Sequence, residues 1–165
     1  MISSSTKKLV IIAHNVRSAH NVGAFFRTAD GAGISKIYLT GYTGAPFNPE
    51  KDRIETKAQR ALGKTALGAV EFIAWEKRED IFSLIEKLKT DGFSILALEK
   101  NSQSQNIFEF KPHFPCALIL GNETRGIEDA VLDKCEAIID IPMRGKKESL
   151  NVSVAAGIAM YVLSK

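Results

Sequence analysis

The chain has 165 residues, 45% of them hydrophobic and 25% charged, which suits one folded domain with a substantial core and argues against disorder. No apolar run approaches the roughly 18 residues a membrane helix needs, and the short run Leu9–Ile12 falls below the apolar core of about 7–15 residues of a secretion signal. Cys116 and Cys135 lack metal-ligand spacing, which argues against a zinc site or a disulfide framework; a net charge of +3 says little about partners, and a reduced, cytoplasmic protein is expected.

Taken in chain order, Leu9–Ala13 reads as a strand and Val22–Ala32 as a helix, with Val22, Phe25, Phe26 and Ala29 on one face. Lys36–Leu39 is the next strand. The polar stretch Gly41–Asp52 that follows is long for a compact domain, which marks a functional or mobile loop. Thr56–Leu67 reads as a short helix, Val70–Ala74 as a strand, and Glu79–Thr90 as an amphipathic helix ended by Asp91-Gly92. Ser94–Leu98 and Cys116–Leu120 are strands, the second apolar throughout, as in a parallel sheet covered on both faces. Ile127–Lys134 reads as a helix, Ala137–Ile141 as a strand and Val152–Leu163 as a last helix. No repeat or linker interrupts the alternation, so residues 1–165 are expected to form one α/β domain with a mostly parallel sheet and helices on both faces.

Ligands bind such sheets at the carboxyl ends of the strands, and three polar segments follow strands directly. The first contains Asn21, which can cap the helix, Gly23, which permits close approach, and Arg27, six residues on. The second, Gly121–Gly126, places a glycine at a strand end, where a ligand could meet the backbone, and Glu123 in the turn before a helix. The third runs from Ile141 through Met143 and Arg144 to Ser149, Leu150 and Asn151. Ser149 or Asn151 can cap the last helix, and Ser153, Ala155, Ala156 and Gly157 allow tight packing. Each segment alone is equally compatible with a purely structural role. None matches a dinucleotide-binding glycine fingerprint or a phosphate-binding P-loop. Two basic groups, Lys51/Arg53/Lys57/Arg60/Lys64 and Arg144/Lys146/Lys147, read by themselves as solvated faces.

In order, NVGAFFRTAD, LILGNETRGI and IPMRGKKESLNVSVAAGIAMY resemble the three motifs of the SpoU/TrmH branch of the SPOUT methyltransferases, and the similarity runs from about Leu9 to Tyr161. The resemblance implies an α/β fold with a deep C-terminal trefoil knot, a topology that neither composition nor periodicity can show. It implies S-adenosylmethionine bound largely by backbone groups of three loops, carried here onto Leu98, Gly121, Ile141, Met143, Ser149 and Leu150. It implies a homodimer joined through the knot region, with active sites drawing on both subunits, and no metal.

By the same resemblance the reaction is methyl transfer to a ribose 2'-hydroxyl of RNA. Arg27 matches the arginine that acts on the hydroxyl, and Asn21, Glu123, Ser149 and Asn151 match the polar residues around it. A guanidinium is a poor base, so positioning phosphate and stabilising an emerging alkoxide suits Arg27 better than proton removal. Larger members of the branch carry a further RNA-binding domain, and this chain resembles the minimal ones, so tRNA is favoured over ribosomal RNA as substrate. The readings weighed against an enzyme are a knotted RNA-binding protein without catalysis and a flavodoxin-like nucleotide binder; the presence of Arg27, Glu123 and Asn151 together speaks against the first, and the glycine-poor His14–His20 segment against the second.

Overall fold

In the computed structural model, which describes residues 7–165, seven strands form one sheet in which every pair is parallel. They are β1 (Leu9–His14), β2 (Lys36–Thr40), β3 (Ala74–Arg78), β4 (Ser94–Leu98), β5 (Gln105–Asn106), β6 (Cys116–Leu120) and β7 (Ala137–Asp140). The helices are α1 (Ala19–Ala32), α2 (Lys57–Ala66), α3 (Ile81–Thr90), α4 (Asp129–Leu132) and α5 (Val152–Leu163). The strand order β3-β2-β1-β6-β4-β7-β5 runs outward from β1 to β3 and then crosses to β4 on the far side of β6. That reversal is where an open parallel sheet leaves a crevice at its carboxyl edge.

Alternation along β1 divides the core. Leu9, Ile11 and Ala13 face a layer built from Val22, Phe25 and Phe26 of α1, Leu62 and Ala66 of α2, and Ala156, Ala159 and Met160 of α5. Val10 and Ile12 face the other layer, with Ile81, Leu84, Ile85 and Leu88 of α3 and Val131 next to them. Both faces of β1 and β6 are therefore covered, which is why these strands read as unbroken apolar runs. No helix among the described residues is long and apolar enough to cross a membrane.

Most expected elements are present with small shifts, and four differ. The strand expected at Val70–Ala74 is a 3-10 turn, Ala69–Glu71, with the strand following at Ala74–Arg78. Ala69 and Ile73 are the residues buried there, against the α1 layer, so the apolar run seals a helix contact instead of entering the sheet. The helix expected at Ile127–Lys134 is reduced to Asp129–Leu132, and the very short β5 carries no pattern a strand would show.

The fourth difference is the start of α1, three residues before Val22. Ser18 is its cap, its hydroxyl accepting from the Asn21 backbone N–H at 3.3 Å. Asn21 thus lies within the first turn and is not the capping residue. Gly23 does not serve the helix start either: a Cβ there would meet the Leu62 carbonyl oxygen at 2.4 Å, so it permits the close crossing of α1 and α2.

Candidate active site at the carboxyl edge

Neighbouring strands β6, β4 and β7 end level with one another, and the loops beyond them enclose a cleft. Its wall includes Leu98, Leu120, Gly121 and Ile141 at the strand ends, and Met143, Ser149 and Leu150 in the loop before α5. All six positions expected to hold a cofactor therefore border one cavity, together with Glu123. The remaining lining is apolar at Val152 and Ala155, polar at Asn122 and Thr124 beside Gly126, and acidic at Glu99, Asp140 and Glu148, with Lys100 as the cation on the wall. Asn21, Asn151 and Arg27 lie outside the lining.

The loop after β6 is fastened from within. Asn122 and Gly126 exchange backbone hydrogen bonds at 3.1 and 3.0 Å. The Asn122 side-chain oxygen accepts from the Thr124 and Arg125 backbone N–H groups at 2.9 and 2.8 Å. Its amide nitrogen donates to the Asn15 carbonyl at 3.0 Å and to the Tyr42 hydroxyl at 2.9 Å. The buried Asn122 carboxamide is thus fully satisfied, and it joins three loops. Sequence reasoning passed over it; the available signal was its place between Gly121 and Glu123.

Gly121 owes its identity to this closure. A Cβ there would meet Ile127 Cγ1 at 2.5 Å and the Gly126 backbone at 2.8 Å, so the strand end packs against its own loop. Gly126 has φ +68, a left-handed conformation that favours glycine, and a Cβ would meet Glu99 Oε2 at 2.2 Å. Glu99 uses that oxygen to accept from the Ile127 N–H at 3.1 Å.

Glu123 serves a helix other than the one that follows it. Its carboxylate accepts from the backbone N–H groups of Arg17 at 3.0 Å and Ser18 at 2.9 Å, and from the Asn21 side-chain amide at 3.0 Å. Burial opposes its charge, but the Ser18, Arg17 and Asn21 hydrogen bonds outweigh that and hold the carboxyl below its ordinary value. The Asn21 side-chain oxygen in turn accepts from Asn151 Nδ2 at 3.5 Å. Asn151 caps α5 through its own oxygen, accepting from Ser153 and Val154 N–H at 2.8 and 3.4 Å. One line of hydrogen bonds therefore runs Asn151–Asn21–Glu123 through all three polar segments.

Arg27 stands apart. It is exposed on α1, and six residues of helix turn it roughly 120° away from Asn21. Neither cysteine supplies a nucleophile: burial pushes Cys116 to about 12 and Cys135 to about 11.

The arrangement defines a class: an α/β protein with a ligand cleft at the carboxyl edge of a parallel sheet, walled by apolar side chains and acids and braced by three convergent polar loops. Residues 8–161 match the SpoU rRNA Methylase family, and the chain belongs to it as a SpoU/TrmH-type member. It is 31% identical over 161 residues to a tRNA (guanosine(18)-2'-O)-methyltransferase of Aquifex aeolicus, covering 98% of this chain and 71% of that one. It is 33% identical over 156 residues to a protein of Archaeoglobus fulgidus named as a tRNA/rRNA methyltransferase, covering 94% of this chain and 64% of that one. The fold superposes with a TM-score of 0.82 on the AdoMet-bound rRNA methyltransferase of Sinorhizobium meliloti, at 26% identity, over 94% of this chain and 55% of that one. The chain thus spans between about half and three quarters of the length of these relatives.

Proposed function

We propose that the chain is an S-adenosylmethionine-dependent RNA methyltransferase acting on a ribose 2'-hydroxyl, with tRNA favoured as substrate and ribosomal RNA as the alternative. The observation that carries the reading is the hydrogen-bonded line Asn151–Asn21–Glu123, which holds the three family motifs together beside one cleft.

The cleft suits the cofactor chemically. Leu98, Ile141, Met143 and Leu150 offer apolar surface for a purine, and backbone groups at Gly121 and in the 141–150 loop are available to its polar edge. Glu99, Glu123, Asp140 and Glu148 against Lys100 give an acidic wall that complements a sulfonium and an ammonium. When bound, S-adenosylmethionine supplies a methyl group already activated for in-line displacement. The protein's part is then positioning. Glu123 and Asn21 fix the β1–α1 loop, Asn151 fixes the start of α5, and Ser149 borders the cleft, its hydroxyl without a hydrogen-bond partner among the described residues and available to orient the ribose. Arg27 holds the substrate phosphate and stabilises the alkoxide as the hydroxyl loses its proton.

Arg27 lies outside the cleft of its own chain, which supports a homodimer in which it serves the cleft of the second copy. Helix α5 packs on α1 and leaves Val154 and Tyr161 about half exposed, an apolar face suited to that contact. We include in the reading a C-terminal segment threaded as a trefoil knot, and a cytoplasmic site of action. The basic loop Arg144/Lys146/Lys147 and the exposed cations of the 51–64 segment are available to phosphates.

The test is a map of ribose methylations in total RNA from strains with and without the gene. The reading expects one or more 2'-O-methyl marks to vanish from tRNA; loss from ribosomal RNA would select the alternative substrate, and an unchanged ribose map would refute the assignment.

A further inference from the structure

Two strands from the cleft, the polar loop that opens after β2 carries a tyrosine held unusually firmly for an exposed residue. Tyr42 is 56% exposed, yet its hydroxyl accepts from Asn122 Nδ2 at 2.9 Å, and Asn122 lines the cleft. Its backbone N–H donates to Asn15 Oδ1 at 3.2 Å. Asn15 itself has φ 54, a left-handed conformation that asparagine tolerates better than other non-glycine residues and that turns the chain here. On the other side Thr43 is buried, its hydroxyl donating to the Ala13 carbonyl at 2.9 Å and accepting from the Val16 N–H at 3.0 Å. Lys77 Nζ donates to the carbonyls of Gly41 and Thr43, closing the loop on either side of the tyrosine.

A surface tyrosine with no task is free to rotate. This one has its hydroxyl tied to Asn122 and its backbone N–H tied to Asn15, while more than half of the residue stays exposed. An apolar plane with its position already determined costs little entropy to use in binding. Single-stranded RNA is bound by stacking unpaired bases on such planes. With strands about 4.8 Å apart, β2 lies roughly 10 Å from β6, so a base resting on Tyr42 belongs to a nucleotide near the one whose ribose enters the cleft.

We propose that Tyr42 is a stacking platform for an unpaired base of the RNA substrate that flanks the methylated nucleotide, an inference that rests on the RNA methyltransferase reading. Three variants test it: Tyr42→Phe keeps the ring, Tyr42→Leu keeps bulk without a π face, and Tyr42→Ala removes both. Each is measured for methyl transfer to bulk tRNA, for quenching of a 2-aminopurine-containing single-stranded RNA, and for S-adenosylhomocysteine binding by calorimetry. The proposal expects Leu and Ala to raise the KM for RNA about tenfold or more, the size of one base–aromatic stack, and to lose the quenching. It expects Phe to keep the quenching and a KM closer to wild type than to Leu, and S-adenosylhomocysteine binding to be the same in all three, since each loses the same hydroxyl bond to Asn122. Wild-type KM and quenching in Leu or Ala would overturn it. So would a Phe variant as impaired as Ala, since the hydroxyl tether and not the ring would then be the determinant. If Ala fails to fold, the Phe–Leu pair still decides. A wild-type chain that methylates no RNA, tRNA or ribosomal, would instead overturn the parent reading.

Discussion

The Glu123 carboxylate accepts a hydrogen bond from the Asn21 side-chain amide at 3.0 Å, across 102 residues of chain. Through it a turn after β6 determines how the chain enters α1, and the same carboxylate satisfies two backbone N–H groups that no helix bond uses.

Replacing Glu123 with glutamine puts an amide N–H where the carboxylate now accepts. Glu123→Gln is expected to lower stability by about 1–2 kcal/mol, since hydrogen bonds to a charged group are lost and one donor faces another, as measured by urea unfolding at pH 7. The folded-state carboxyl titrates below its ordinary value. Its contribution is therefore complete above the usual carboxylate range and lost as pH falls through the lower, folded value, and the variant should lose that part of the acid sensitivity.

His14 gives the opposite group type with a related pH signature. It is buried at the end of β1, its ring nitrogens at 2.9 Å from Thr40 Oγ1 and 3.1 Å from Glu128 Oε2. Burial lowers its pKa, and the nearby Glu128 only partly restores it. The unfolded chain then binds a proton near pH 6.5 that the folded chain does not. Stability is expected to fall as pH drops below about 6.5, and to keep falling until the folded histidine titrates. His14→Gln should flatten this slope in unfolding midpoints taken between neutral and mildly acid pH.

Gly121→Ala drives a methyl into Ile127 and the Gly126 backbone, at 2.5 and 2.8 Å. A cost of about 1–3 kcal/mol is expected from such overpacking. Because the same loop walls the cleft, S-adenosylhomocysteine affinity should fall by about tenfold or more, equivalent to about 1.4 kcal/mol, in isothermal calorimetry.

Arg27→Ala removes an exposed side chain with no hydrogen-bond or ion-pair partner among the described residues. Stability and S-adenosylhomocysteine binding should stay at wild-type levels while kcat for RNA falls at least about a hundredfold, the usual loss for a group that stabilises developing charge. Mixing this variant with one defective in the cofactor loop would restore partial activity if the two subunits complete each other's sites, and homodimer mass in solution checks the same point.

Much of the fold is legible in the sequence. Strands β4 and β6 and helix α5 have their expected bounds because apolar run length, glycine and asparagine punctuation, and small-residue packing all agree there. The misreading at Val70–Ala74 arose because β3, Ala-Trp-Glu-Lys-Arg, is an edge strand with little apolar content, beside a run that is apolar for another reason. At the site, the residues around the cleft were readable from their place after strands. Asn122 and Tyr42 were not, since what matters about them is a hydrogen bond between loops 80 residues apart. Asparagine suits a cap by type, but Ser18, three residues earlier, caps the helix and frees the Asn21 side chain for Glu123.

The central claim is that the three joined segments carry methyl from S-adenosylmethionine to a ribose oxygen. Its most direct measurement is incubation of the purified chain with methyl-labelled S-adenosylmethionine and bulk tRNA or ribosomal RNA, followed by complete digestion to nucleosides. The account predicts that the label elutes as a 2'-O-methylnucleoside and survives removal of the base. Label on a base, or none on RNA while the cofactor still binds, would contradict it.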